Sequence, residues 1–140
     1  MRVLALDLGT KRIGVAVSDR SGTIATPLTV VARSGRVATD HARIAALVAE
    51  EEAVRVVVGL PLSLDGRLGP AAKAAQGEID LLAAVLPVPV ESFDERLTTV
   101  TADRALMEAG MRAEGRRRLV DKVAAAVMLQ AWLDRRAGAS

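Results

Sequence analysis

The chain opens MRVLALDLGTKRIGVAVSD, from Met1 to Asp19. A short apolar run, Val3-Leu4-Ala5-Leu6, delivers a single acid, Asp7, at its end. Gly9-Thr10 reads as a tight turn. A second run follows in which Ile13, Val15 and Val17 alternate with Gly14, Ala16 and Ser18. Two strands joined by a glycine turn predict a β-hairpin. A carboxylate within a hydrophobic strand is costly unless something compensates it, so Asp7 demands an explanation.

Outward from this hairpin, Ser21-Gly22 marks a turn and Ile24 to Val31 reads as a third strand, with Pro27 marking an edge or a bulge. The links are short enough to predict an antiparallel meander. Val37 to Glu52 has apolar residues at Ile44, Ala45, Leu47 and Val48 and reads as a helix with an exposed acidic end, Glu50-Glu51-Glu52. His41 is expected on its solvated surface, since no partner of metal-ligand type lies at i±4. Val54 to Gly59 is rich in β-branched residues and predicts a central strand parallel to the first. Leu60 to Gly69 is a loop containing the turn pair Asp65-Gly66. Pro70 suits the first position of a helix running to about Val85. Pro87 and Pro89 flank a fifth strand, Val88 to Phe93.

Thr98 or Thr99 is suited to cap a helix through about Ala109, stopped by Gly110. An Arg-rich connection, Met111 to Arg118, then leads to a last helix from Leu119 to Arg136. Its apolar positions Val120, Val123, Ala124, Val127 and Ala131 follow a helical period. The tail 137–140 is expected to be loose. With no repeat or linker, residues 1–140 read as one domain. The order β-β-β-α-β-α-β-α-α predicts an α/β fold, a mixed five-stranded sheet flanked by helices. Connection rules leave the strand order open.

Composition narrows the chemistry. Half of the 140 residues are hydrophobic, but the only aromatics are Phe93 and Trp132, so Val, Leu, Ile and Ala must build the core. Absence of cysteine excludes disulfides and thiol chemistry and fits a cytoplasmic protein. No apolar run approaches the roughly 20 residues of a membrane span, and a single Arg2 before a handful of apolar residues makes no signal peptide. A soluble protein without a membrane partner is expected. Net charge is only +2, despite a pI near 9.7. The densest basic patch, residues 112–118, has four Arg against one Glu. Such a balance permits a polyanionic partner without demanding one.

Three acids stand where surface decoration is a poor account of them. Asp7 ends one apolar strand, Glu95 directly follows another, and Asp121 begins an apolar helix. Parallel strands would bring the first two together at their carboxyl ends, where ligands bind, and a helix crossing the sheet would add the third. Gathered carboxylates repel one another unless a cation is present. Hard oxygen donors suit Mg²⁺ or Mn²⁺, which take further ligands from a phosphate. Metal-assisted phosphodiester hydrolysis follows, with Asp7 best placed to bridge two ions. Each acid also has an ordinary reading: a turn or cap residue at Asp7, a pair with Arg96 or another surface Arg for Glu95, a helix N-terminus for Asp121. Spacing alone leaves these alternatives open.

Motif content is more specific. Asp7-Leu8-Gly9-Thr10-Lys11-Arg12-Ile13-Gly14-Val15-Ala16 resembles the opening signature of the YqgF/RuvX family of ribonuclease H-like nucleases. The stretch from Val58 to Gly66, VGLPLSLDG, is similar to its second motif. Asp94-Glu95-Arg96-Leu97-Thr98-Thr99 resembles its third and Asp121-Lys122-Val123-Ala124-Ala125 its fourth. The four stand in family order over nearly the whole chain. The resemblance implies a ribonuclease H-like fold and a metal-dependent nuclease with catalytic and metal-binding acids at Asp7, Glu95 and Asp121. It also implies 5′-end processing of precursor 16S rRNA or, alternatively, resolution of Holliday junctions. Ser63 stands where the family usually has Asn, and small residues around Ala74 to Gly77 replace a common aromatic.

Around these acids, Lys11 and Arg12 are candidate phosphate contacts. Asp65 and Arg67 are candidate substrate contacts on the loop, and Arg96 either reaches a phosphate or pairs with a site acid. Arg116, Arg117 and Arg118 are placed to track a phosphate backbone. With Phe93 expected in the core and no Tyr, base stacking has little support. Nucleic acid, as structured RNA or branched DNA, is the expected partner, and the junction alternative predicts a homodimer with two facing sites. Two other classes compete: a sugar-kinase-like ATPase, suggested by Asp-Leu-Gly-Thr, and a non-catalytic nucleic-acid-binding module. An ATPase of that kind needs two such domains, and retention of three acids argues against the module.

Overall fold

A computed structural model describes residues 1–98 and 114–139, with only the backbone of 114–117 and 139. The elements are β1 (Val3–Leu8), β2 (Arg12–Ser18), β3 (Ala25–Ala32), α1 (Val37–Glu50), β4 (Arg55–Leu60), α2 (Pro70–Val85), β5 (Val90–Asp94), a single 3₁₀ turn (Glu95–Leu97) and α3 (Glu114–Ala139). The five strands form one mixed sheet ordered β3-β2-β1-β4-β5. The first three pair antiparallel; β4 pairs parallel to both β1 and β5. The expected mixed α/β sheet of the ribonuclease H type is therefore the observed one. Pro27 sits on the edge strand, and the β2–β3 register shifts at Val15/Ala16, opposite it. A residue that cannot donate to the ladder is tolerated there.

Strand alternation divides the core into two layers. Leu4, Leu6, Ile13, Val15, Val56 and Val58 face α1 and α2, meeting Ile44, Val48, Ile79 and Leu82. Val3, Ala5, Ala16, Val57 and Phe93 face α3, meeting Ala124, Ala125, Met128, Leu129 and Trp132. Phe93 and Trp132 are both core residues, each 7% exposed.

Several boundaries move for local reasons. β5 starts at Val90 because Pro87 and Pro89 offer no N–H to a ladder. α1 stops at Glu50 because Glu52 turns left-handed, with φ of 53°. The Glu52 N–H then donates to the Ala49 carbonyl at 3.2 Å and the Ala53 N–H to the Val48 carbonyl at 3.0 Å. Those two bonds, with Ala53 and Val48 both buried, make a Schellman closure. α3 already includes Glu114, so Arg116, Arg117 and Arg118 belong to the helix and not to a connection. Arginine is a good helix former, and nothing in this run breaks a helix. The helix also continues through Ala137 to Ala139, where a loose tail was expected. Its buried stripe is carried by Ala125, Met128, Leu129 and Leu133 as well as Val120 and Ala124, while Val123, Val127 and Ala131 are only half-buried. The helix expected between Thr98 and Ala109 lies largely outside the described residues.

His41 is not on a solvated surface. It is 4% exposed, and its Nε2 lies 2.8 Å from Glu78 Oε2 on α2. The partner is 37 residues away, so no local pattern announces it.

Candidate active site

Asp7 continues the alternation of Val3 and Ala5, which sets it on the α3 face at the carboxyl end of β1, 8% exposed. Its partner across the hairpin is Gly14. That glycine is required by packing: a Cβ there would overlap the Asp121 carbonyl oxygen. The missing side chain lets α3 come down onto the strand and brings Asp121 over the same end of the sheet.

Glu95 arrives from the other side. β5 ends at Asp94, paired with Leu60, and Glu95 opens the 3₁₀ turn. A Cβ on Gly59 would lie 2.6 Å from Glu95 Oε1 and 2.7 Å from Met128 Sδ. The Glu95 carboxylate therefore stands over Gly59, on the α3 face. Parallel strands and two glycines thus carry Asp7, Glu95 and Asp121 to one end of one face.

Charge at this end is already arranged. Arg12 Nε donates to Asp121 Oδ2 at 2.6 Å, both side chains being 18% exposed. The structure engages this candidate phosphate contact with the candidate acid Asp121, across 109 residues of sequence. All three acids offer carboxylate oxygens, the donor type that suits Mg²⁺ or Mn²⁺. Among the described residues, however, no group of three or more His, Asp or Glu side chains is gathered closely enough to hold an ion. The acids share an end of the sheet without forming a closed cage.

The other candidates fall into three places. Lys11 is exposed on the hairpin turn. Arg96 forks onto Asp94, with Nη2 2.6 Å from Oδ2, and its Nη1 donates to the Leu64 carbonyl at 3.2 Å. Hydrogen bonding from Arg96 holds the Asp94 carboxyl below its ordinary value. Arg96 thereby ties the 60–69 loop to the end of β5, and a Cβ on Gly66, at φ of 84°, would already press on its guanidinium at 3.3 Å. On that loop Asp65 and Arg67 pair at 3.3 Å, the Arg67 side chain 87% exposed. Arg118 is exposed on α3, where it lines a polar depression of about 250 Å³ with Thr29, Val30, Leu119 and Lys122. The side chains of Arg116 and Arg117 lie outside the described residues.

Lys122 was not among the expected contacts. Its position four residues after Arg118, one helical turn on, could have marked it. Arg33 was also missed. It forks onto Glu78 at 2.7 and 2.9 Å and donates through Nε to the Gly9 carbonyl at 2.9 Å. No motif signals that contact. Burial pushes the Glu78 carboxyl up, but hydrogen bonds from Arg33 and His41 outweigh it and hold the group below its ordinary value. A second, larger depression of about 610 Å³ lies between α1 and α2, lined by Val37, His41, Ala45, Leu81 and Val85 among others. It is apolar and belongs to the layer away from the acids.

Residues 1–135 match the family model described as RuvX, Holliday junction resolvase. A protein of Mycobacterium sp. (strain KMS), named as a pre-16S rRNA nuclease, is 50% identical over 139 residues, covering 99% of this chain and 82% of that one. One of Myxococcus xanthus with the same name is 50% identical over 134 residues, covering 96% and 88%. Among solved structures, Thermus thermophilus RuvC in complex with a Holliday junction substrate superposes with a TM-score of 0.62 at 23% identity, covering 99% of this chain and 96% of that one. At that identity the likeness speaks for the fold.

Proposed function

The chain belongs to the RuvX family, and from that premise we propose that it is a metal-dependent nuclease that trims the 5′ end of precursor 16S rRNA in the cytoplasm. The observation that carries this reading is the arrival of Asp7, Glu95 and Asp121 at one end of the α3 face, with Gly14 and Gly59 clearing the space. Relatives at half identity over nearly the full chain carry that nuclease name.

Asp7, Glu95 and Asp121 would hold Mg²⁺ or Mn²⁺, which would supply Lewis acidity toward water and the leaving oxygen. The chain's own groups do the rest. Arg12 balances the charge of Asp121 and keeps its carboxylate directed toward the β1–β2 hairpin. Lys11, Arg118 and Lys122 present cations to a phosphate backbone, and Arg116 and Arg117, in the same helix, are proposed as further phosphate contacts. Arg96 fixes the loop that bears Asp65 and Arg67, so loop and site keep one relation as substrate enters. With both aromatics in the core, recognition rests on backbone and shape.

The test compares wild type with Asp7→Asn on 5′-labelled precursor rRNA and on a four-way junction, with Mg²⁺ or Mn²⁺ present. Asp7→Asn replaces a carboxylate that would hold the ion with a neutral amide, so cleavage should fall about a hundredfold or more. Folding and substrate binding should persist. Equal activity in the variant rejects the assignment. Cleavage of the junction alone, by a dimer making paired cuts, would move the substrate from RNA to branched DNA.

A further inference from the structure

The turn between β1 and β2 is braced from outside the hairpin by Arg33. Arg33, just past β3, donates its backbone N–H to the Lys11 carbonyl at 2.9 Å and its Nε to the Gly9 carbonyl at 2.9 Å. Its two terminal nitrogens fork onto Glu78 at 2.7 and 2.9 Å. Glu78 is held in turn by His41 at 2.8 Å. The side chains of Arg33, Glu78 and His41 are 18%, 14% and 5% exposed. Within the turn, the Gly9 N–H donates to the Arg12 carbonyl at 2.9 Å. Gly9 is thus bonded at both its N–H and its carbonyl.

Each end of this turn carries a site group. Asp7 stands two residues before Gly9, and Arg12, which holds Asp121, stands three residues after it. We infer that Arg33, clamped by Glu78, is a positioning residue that sets Asp7 and the Arg12–Asp121 pair relative to each other. This rests on the nuclease reading of the three acids.

The chemistry of the side chain supports it. A guanidinium offers donors in a rigid planar fork, so one Arg serves a carbonyl through Nε and a carboxylate through both terminal nitrogens. A lysine ammonium is a point charge without that fork. A partly buried ion pair is a poor source of net stability, and apolar replacements are often neutral or better. What this network supplies is a fixed geometry for the turn. Outer partners that orient ligating groups commonly matter by about 10- to 100-fold.

The test uses Arg33→Gln, Arg33→Lys and Glu78→Gln, with Leu82→Ala as a control for stability lost on the same helix as Glu78. Thermal unfolding, kcat and KM for cleavage, and amide hydrogen exchange at Gly9 are measured for each. Arg33→Gln should lower kcat by about tenfold or more, change KM less than about threefold, and speed exchange at Gly9. Arg33→Lys should recover melting temperature but not kcat, and Glu78→Gln should fall between. Leu82→Ala should melt earlier with kcat and Gly9 exchange unchanged at temperatures where it is folded. Unchanged kcat, or unchanged Gly9 exchange in folded Arg33→Gln, overturns the inference. If Arg33→Gln does not fold, Arg33→Lys carries the same comparison. Wild type that cleaves nothing sinks the nuclease reading instead, and the brace on the turn is then decided by Gly9 exchange alone.

Discussion

Val, Leu and Ile dominate the packing of the sheet against α1 and α2, whereas against α3 large residues such as Val57, Phe93, Met128 and Trp132 share the layer with alanines, and glycines stand where the contacts are closest. Branched side chains keep helices at a distance and fill the gap with volume, so that layer is a conventional core. On the other face Ala5 and Ala16 share a layer with Ala124 and Ala125, Gly14 lies against the backbone of Asp121 and Lys122, and Gly59 lies under Glu95 Oε1 and Met128 Sδ. The difference separates two tasks. Both layers bury apolar volume and so stabilise the fold; the close contacts at Gly14 and Gly59 add a second task on the α3 face, setting the distance between a helix and a sheet and with it the placement of three carboxylates.

Substitutions on the two faces should therefore fail differently. Leu82→Ala, fully buried in the branched layer, should cost about 2–5 kcal/mol in denaturant unfolding and leave kcat alone while the protein is folded. Gly14→Ala adds one methyl against a carbonyl that cannot rotate away. Overpacking of this kind costs about 1–3 kcal/mol, and because α3 must lift, cleavage should fall more steeply than stability. A Gly14→Ala enzyme with wild-type kcat would break the distinction between the faces. The smallest effect is expected at Glu52, whose left-handed conformation costs about 1 kcal/mol or more in a residue with a Cβ. Glu52→Gly should raise stability by about 1 kcal/mol, seen as a melting temperature a few degrees higher, without touching the site layer.

Much of this was legible along the chain. The hairpin, the β-branched β4 strand and Pro70 opening α2 follow from alternation and turn chemistry that act over a few residues. The three acids were visible because each breaks a local apolar pattern. The Arg12–Asp121 and His41–Glu78 contacts were not, because their partners lie 109 and 37 residues apart and only the folded sheet brings them together. Arg33 was hidden for the same reason: its partners come from the β1–β2 turn and from α2. The start of α3 was missed on a different ground. A run of arginines reads as a basic loop, yet arginine is itself a good helix former and the run has no reason to unwind.

Trp132 carries one more consequence. It is the only tryptophan in a chain that has no tyrosine, and it is seated where α3 meets β5. Its Nε1 lies 3.3 Å from Glu91 Oε2, and the Arg136 guanidinium sits over the ring, 5.1 Å from its centroid. Emission from this protein therefore has a single source, located on the helix that bears Asp121 and flanked by one anion and one cation. Its wavelength and yield amount to an intrinsic optical gauge of whether α3 is docked, readable in the unlabelled protein as metal or nucleic acid is added.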